Sequence, residues 1–194
     1  MKTINTFALT ALLGFSTLYA TPYTVDTSHS TIGFKVRHMM VASVRGTFKD
    51  YKGHYDYNPE TKQIKSLEGT VKIASIFTDD KKRDDHLRSK DFFNANKYPD
   101  MTLKLLKHSG DKALIELTIK GITKQIEFDV DYLSGESKDP YGAIKTGFEL
   151  NGKISRKAYN ILFNKILETG GVAVGDAVKI NLELEGIKVT TKSK

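Results

Sequence analysis

The sequence predicts an all-β fold, an antiparallel sheet of about eight or nine strands closed into a barrel. Three observations carry this prediction. Apolar and polar residues alternate with period two in run after run between residues 23 and 189, the mark of strands with one wet face. Turn-forming residues separate the runs at Asn58-Pro59, Ser109-Gly110-Asp111, Gly135 and Asp139-Pro140. Only two segments depart from the alternation, and closure answers the exposed edges that so many consecutive strands would otherwise leave.

The first twenty residues, MKTINTFALTALLGFSTLYA, stand apart from the fold. Lys2 gives a basic start, Phe7 to Phe15 is an apolar run, and Ala20 offers a cleavage position, as in a secretory signal peptide. The run is too short to span a bilayer. The expected address is the periplasm or the cell exterior, with residues 21–194 as one barrel domain. A short YTV opens the barrel. In TIGFKVRH, Ile32, Phe34, Val36 and His38 share one face, against Lys35 and Arg37 on the other. SLEGTVKIASIF continues with Leu67, Val71, Ile73 and Phe77 on one side. Residues 79–97 lose the alternation, carry many charged helix formers and stop at Tyr98-Pro99, so a short helix is expected near residues 80–95. Alternation resumes in QIEFDVDY, with Ile126, Phe128 and Val130, and in IKTGFELNGKI, with Thr146, Phe148, Leu150 and Ile154. NILFNKILETGG ends on paired glycines, which suit a helix cap, so a second short helix near 160–168 is expected, with a continued apolar edge as the alternative. VKINLEL closes the barrel with Val178, Ile180, Leu182 and Leu184.

Thirty Lys and Arg against 23 Asp and Glu give a net charge of +7. The positive charges are spread without a run or a nucleic-acid fingerprint, so the chain is not read as a nucleic-acid binder. The balance favours anionic partners, including transient contact with a membrane surface. There is no cysteine, hence no disulfide, and a barrel of this length must be held by its core. A homodimer is the default assembly for such a chain.

The inward faces combine Phe34, Phe48, Phe77, Phe128 and Phe148 with small residues such as Gly33, Gly46, Gly69, Gly147 and Gly152. Glycines within strands mark bends or close approach. A barrel of this size either fills itself or holds one slender ligand, and composition alone permits both.

Five stretches, VDTSHSTIGFKVRH (25–38), VRGTFKDYKG (44–53), DDHLRSKDFFNANKYPDM (84–101), LTIKGITKQIEFDV (117–130) and GDAVKINLELEG (175–186), together resemble the YceI-like polyisoprenoid-binding family in order and spacing. The run Arg156-Lys157-Ala158-Tyr159-Asn160 departs from the pattern of many members, which carry an acidic residue, an aromatic and a glycine after this arginine. The resemblance implies an extended lipocalin-like barrel with a helix near one end. It also implies an apolar channel for an isoprenoid or similar long-chain amphiphile, binding without chemistry and without a cofactor.

Strand parity together with the resemblance assigns the lining to Phe34, Val36, Phe48, Phe77, Phe92, Phe93, Phe128, Phe148 and Ile154. A polar head group would need partners at a mouth, and His38, Arg83, Arg88, Arg156 and Tyr159 are the candidates. Burying a chain of about 20 carbons offers roughly 16 kcal/mol at about 0.8 kcal/mol per methylene, before the several kcal/mol lost to immobilisation. Such a ligand is captured without a covalent step. The alternative is a packed barrel serving as a structural or adaptor module for a protein partner.

Catalytic and metal readings are weaker. The five histidines form no H-x-H or H-E-x-x-H pair. Ser28-His29-Ser30 has no nucleophile elbow around it and reads as a turn in which Asp26 or Ser30 satisfies backbone groups. In RDDHLRSKDFF, the expected helix would pair Asp84 with Arg88, let Ser89 cap a following turn, use His86 as a hydrogen-bonding strut, and drop Phe92 or Phe93 onto the barrel end.

Overall fold

In a computed structural model, the described residues, 20–166 and 171–190, form a closed antiparallel barrel. The expected signal peptide lies outside them except for Ala20. The strands are β1 (Thr21–Val25), β2 (Thr31–His38), β3 (Ala42–Phe48), β4 (Tyr51–Asn58), β5 (Gln63–Lys72), β6 (Ile76–Phe77), β7 (Asp100–Ser109), β8 (Lys112–Ile119), β9 (Ile122–Leu133), β10 (Ser137–Lys138), β11 (Ile144–Ser155) and β12 (Val174–Lys188). One helix, α1 (Lys81–Arg88), stands among them.

The barrel is eight-stranded because three of its staves are broken in two. Both β1 and β2 run along the same edge of β12, Tyr23 facing Lys188 and Phe34 facing Ile180. Next to them β4 pairs with β1 and β3 with β2, and then β5 pairs with β4 and β6 with β3. The ring continues through β7, β8, β9 and β11, and closes where β11 meets β12 from Lys145↔Ile187 to Ser155↔Ala177.

The break at residues 26–30 is the turn read from Ser28-His29-Ser30. Asp26 Oδ1 accepts from the Ser28 amide at 3.0 Å, and the Ser30 hydroxyl exchanges hydrogen bonds with the Glu185 backbone. The break at residues 73–75 is a 3₁₀ turn, and it corrects one prediction. The turn shifts the inside-outside phase by one residue, so Ile76 pairs with inward Phe48 and is buried, while Phe77 pairs with Thr47 and is 45% exposed under the Lys49 ammonium. Phe77 therefore does not line the interior.

The second predicted helix is not formed over residues 160–166, and its remainder lies outside the described residues. After a 3₁₀ turn at Lys157–Tyr159, Asn160 takes a left-handed φ of 56° and ends the helical geometry. Ile161 is buried, Leu162 exposed and Phe163 half-buried, a period of two that suits an extended apolar edge rather than a helix.

Close packing inside the barrel depends on glycine. A Cβ on Gly152 would lie 2.5 Å from the Phe128 ring, and one on Gly46 would collide with the Phe34 ring. These glycines make room for aromatic rings on neighbouring strands.

Candidate functional site

One end of the barrel is plugged. Tyr23, Tyr55 and Tyr57 are fully buried there, with Tyr23 stacked on Tyr55 at 5.2 Å and Phe148 edge-on to Tyr55 at 4.9 Å. Each hydroxyl finds an acceptor, at the Glu136 carboxylate, the Thr146 carbonyl and the Ser134 carbonyl respectively, as buried phenols require. Burial pushes the Tyr55 phenol up to about 12. Phe148 faces inward as parity predicts, but it belongs to this plug and not to the lining of a chamber.

The other half of the barrel is open. An inner chamber of about 140 Å³ is walled by Phe34, Phe48, Phe128, Ile154 and aliphatic residues of β5, β7, β8 and β12, and roofed by Leu87, Phe92, Phe93 and Ile161. Beyond it lies an outer chamber of about 320 Å³. Phe34, Val36, Leu87, Phe92 and Val174 border both and form the partition between them. The outer chamber also takes in Arg37, His38, Arg83, His86, Phe163 and Lys165, and no carboxylate lines it among the described residues.

The roof explains the sequence RDDHLRSKDFF. Asp80 caps α1 by accepting from the Arg83 amide at 3.0 Å. Past Ser89 the chain reverses, with the Phe93 amide bonded to Leu87 O and the Asn94 amide to Ser89 O. This turn drops Phe92 and Phe93 onto the barrel. His86 Nε2 lies 2.8 Å from Asp91 Oδ2, and its ring stands edge-on to Phe92 and Phe163 at 5.0 and 4.7 Å. His86 is thus a strut of the roof, as read from the sequence, and Ser89 receives the Asp91 amide at 3.3 Å.

The expected Asp84–Arg88 pair is not made. Asp84 is buried and accepts from the Thr78 amide at 2.9 Å and from its hydroxyl at 2.5 Å. Arg88 pairs instead with Asp85 at 2.7 Å and donates to Ala74 O and Ile76 O, pinning α1 to β6. These partners hold Arg88 on the outer surface, away from the mouth, which corrects its assignment. Arg83 does reach the outer chamber, although Nε and Nη2 are engaged with Thr78 at 2.7 Å.

Arg156 borders the inner chamber but is not a free head-group partner. It is 3% exposed, and its guanidinium donates to four backbone carbonyls, Gly175, Ile161, Phe163 and Val174, at 2.7–3.1 Å. The residue clamps the extended 161–163 segment to the start of β12. Nearby Tyr159 is fully buried and lines neither chamber, so it also leaves the mouth; burial pushes its phenol up to about 12.

Away from the chambers, Asp26, His29 and Glu185 bring ligand atoms within 4.8 Å of one another. Lys145 Nζ sits 3.2 Å from Asp26 and 2.7 Å from Glu185 and supplies the local positive charge. Hydrogen bonds from Ser28 and His29 hold the Asp26 carboxyl well below the usual carboxylate range. His29 turns the same nitrogen, Nδ1, to both Ser28 and Asp26, whereas a proton relay uses opposite sides of the ring.

Sequence reasoning favours aromatic residues and passes over much of the aliphatic wall. Ile32, Val71, Val178, Ile180 and Leu182 all line the inner chamber, and their place in the alternation is the signal that could have found them. Phe163 and Lys165 of the outer chamber carry no such signal, because their segment belongs to no strand.

Comparison with known proteins gives consistent relatives. A profile of the YceI-like domain matches residues 23–186. A UPF0312 protein of Staphylococcus epidermidis is 40% identical over 168 residues, covering 85% of this chain and 96% of that protein. The crystal structure of a Campylobacter jejuni YceI protein superposes with a TM-score of 0.69 at 36% identity, over 85% of this chain and 96% of that one. A polyisoprenoid binding domain from Saccharophagus degradans shares the fold at 14% identity, with a TM-score of 0.59 over 86% of this chain and 98% of that domain.

Proposed function

The chain belongs to the YceI-like family, and from that premise we propose that it is a non-catalytic carrier of an isoprenoid or other long-chain amphiphilic lipid, acting in the periplasm or outside the cell. The observation that carries the proposal is the inner chamber, walled almost wholly by apolar side chains and leading to a basic outer chamber. Its one charged neighbour among the described residues, Arg156, has its hydrogen bonds committed to the backbone. A dry apolar void of about 150 Å³ is known to accept a benzene-sized guest, and the inner chamber, at about 140 Å³, is of that order. A flexible tail entering it would gain roughly 0.8 kcal/mol per buried methylene. The Saccharophagus degradans polyisoprenoid binding domain supports the ligand class through its shared fold alone. A filled adaptor barrel is the weaker reading, because the bore keeps this open volume.

Native mass spectrometry of the purified protein, followed by solvent extraction, tests the proposal. We expect one long-chain lipid per chain, or stoichiometric uptake of geranylgeraniol by empty protein. A barrel that purifies empty and takes up no such chain refutes it.

A further inference from the structure

Six of the exposed large apolar side chains stand together at the open end of the barrel. Met39, Met40 and Val41 form the turn between β2 and β3, and Leu162, Ile166 and Val172 lie on the neighbouring residues 160–166 and 171–173, where Ile166 pairs with Val172. The two are tied together by the Met39 amide donating to Ala173 O at 2.8 Å and by the pairing of His38 with Val174. Val41 and Ile166 are 82% and 84% exposed. Met39 and Met40 both hold left-handed φ, 49° and 61°, so the hairpin tip holds two large apolar residues where asparagine and glycine are the usual choice.

Among the described residues, the ionisable side chains that line the outer chamber beside this tip are all basic. Arg37, His38 and Lys165 are exposed beside it, and none has a carboxylate partner among the described residues. Arg83 and His86 stand deeper in the same chamber, each facing a carboxylate outside it, Asp80 at 3.8 Å and Asp91 at 2.8 Å. Apolar residues that penetrate an interface, flanked by the cations Arg37 and Lys165, complement a bilayer carrying anionic lipid head groups.

We propose that this end of the barrel docks on an anionic phospholipid bilayer, Met39–Val41 with Leu162, Ile166 and Val172 entering the interface and Arg37 and Lys165 meeting the phosphates, so that the chamber mouth opens against the membrane. The inference goes beyond the carrier reading and stands independently of it, because vesicle binding is measured without cargo.

The test is vesicle flotation of the chain from Thr21 onward, which contains all twelve strands and the helix. Vesicles of phosphatidylglycerol mixed with phosphatidylcholine are compared with pure phosphatidylcholine. Binding to the anionic vesicles should fall with added salt. Arg37→Ser with Lys165→Ser should weaken it about 25-fold, at about fivefold per cation. Val41→Asp with Ile166→Asp should abolish flotation while leaving the melting temperature unchanged. No flotation of the unmodified protein overturns the proposal, and so does flotation that both double variants retain. Failure to float combined with a dimer that Val41→Asp, Ile166→Asp converts to monomer also overturns it, by assigning the patch to a second copy of the chain. Lipid retention by native mass spectrometry is scored separately, so that loss of cargo and loss of docking are told apart.

Discussion

Gly152→Ala tests whether the inner chamber is bounded by the contact between Gly152 and Phe128. The new methyl would lie 2.5 Å from the Phe128 ring, a distance that forces the ring to move toward the chamber it lines. Two effects of opposite sign compete. Gly152 lies outside the left-handed region, so alanine restricts the unfolded chain and contributes about 0.5–1 kcal/mol in favour of folding. Overpacking a buried ring costs about 1–3 kcal/mol. The net expectation is a loss of about 1–2 kcal/mol, or a fall in the urea midpoint of roughly 0.5–1 M at a slope of about 2 kcal/mol/M. Phe128→Leu loses burial by itself, but it removes the ring edge that the methyl would strike. In that background Gly152→Ala should be neutral or mildly stabilising, giving a coupling of about 1–3 kcal/mol. Equilibrium urea unfolding of the four proteins measures the cycle. An alanine equally destabilising with and without the ring would refute the claim that Phe128 occupies the space Gly152 leaves. In the single variant the displaced ring should also weaken uptake of geranylgeraniol, because it shortens the space available to the chain.

Three other outcomes follow from particular side chains. His108 Nδ1 faces the Ile64 amide at 3.0 Å and Nε2 faces Gly110 O at 3.0 Å, an arrangement that fits only the neutral ring, and burial lowers its pKa below the ordinary value of about 6.5. The unfolded chain therefore binds the proton more readily, so stability is full above about pH 6.5 and declines as pH falls toward the folded value; thermal melts between about pH 7 and pH 5 should show this slope flattened in His108→Gln, and an unchanged slope would assign the effect to another group. Arg156→Ala leaves four carbonyls without their donor and should cost about 3–5 kcal/mol in denaturant unfolding, with Arg156→Lys intermediate; a loss below about 1 kcal/mol would show that water replaces the clamp. Phe92→Ala removes part of the roof and should speed release of a bound fluorescent polyene fatty acid in stopped flow, at a stability cost of about 3 kcal/mol; an unchanged release rate would place the exit elsewhere.

The cross-section of the barrel is readable in the sequence because a pleat repeats every two residues. The alternation in TIGFKVRH marks the bounds of β2 and puts Phe34 and Val36 inside, where the chambers hold them. The same rule fails at Phe77, because a 3₁₀ turn of three residues changes the phase and leaves no mark in the hydropathy pattern. It does not separate Phe148 from Phe128 either. Parity says which face a residue takes, while height along the bore depends on strand register and tilt, which only the paired sheet defines. The basic residues are the least legible. Arg83, Arg88 and Arg156 look alike in sequence, yet one reaches the outer chamber, one pins a helix and one is committed to backbone carbonyls. Their roles depend on contacts made by segments that follow no periodic rule.

Among the described residues, the tyrosine plug closes one end of the bore and leaves the outer chamber as the way in. A chain that enters tail-first must withdraw along the same path, so the carbons nearest the head are last in and first out. Each methylene seated deeper adds roughly 0.8 kcal/mol to the withdrawal barrier, close to a fourfold slowing per carbon. Depth would thus act as a clock for residence more than as a filter for identity, until a tail grows long enough to touch Tyr23, Tyr55 and Tyr57, where the next carbon has nowhere to go.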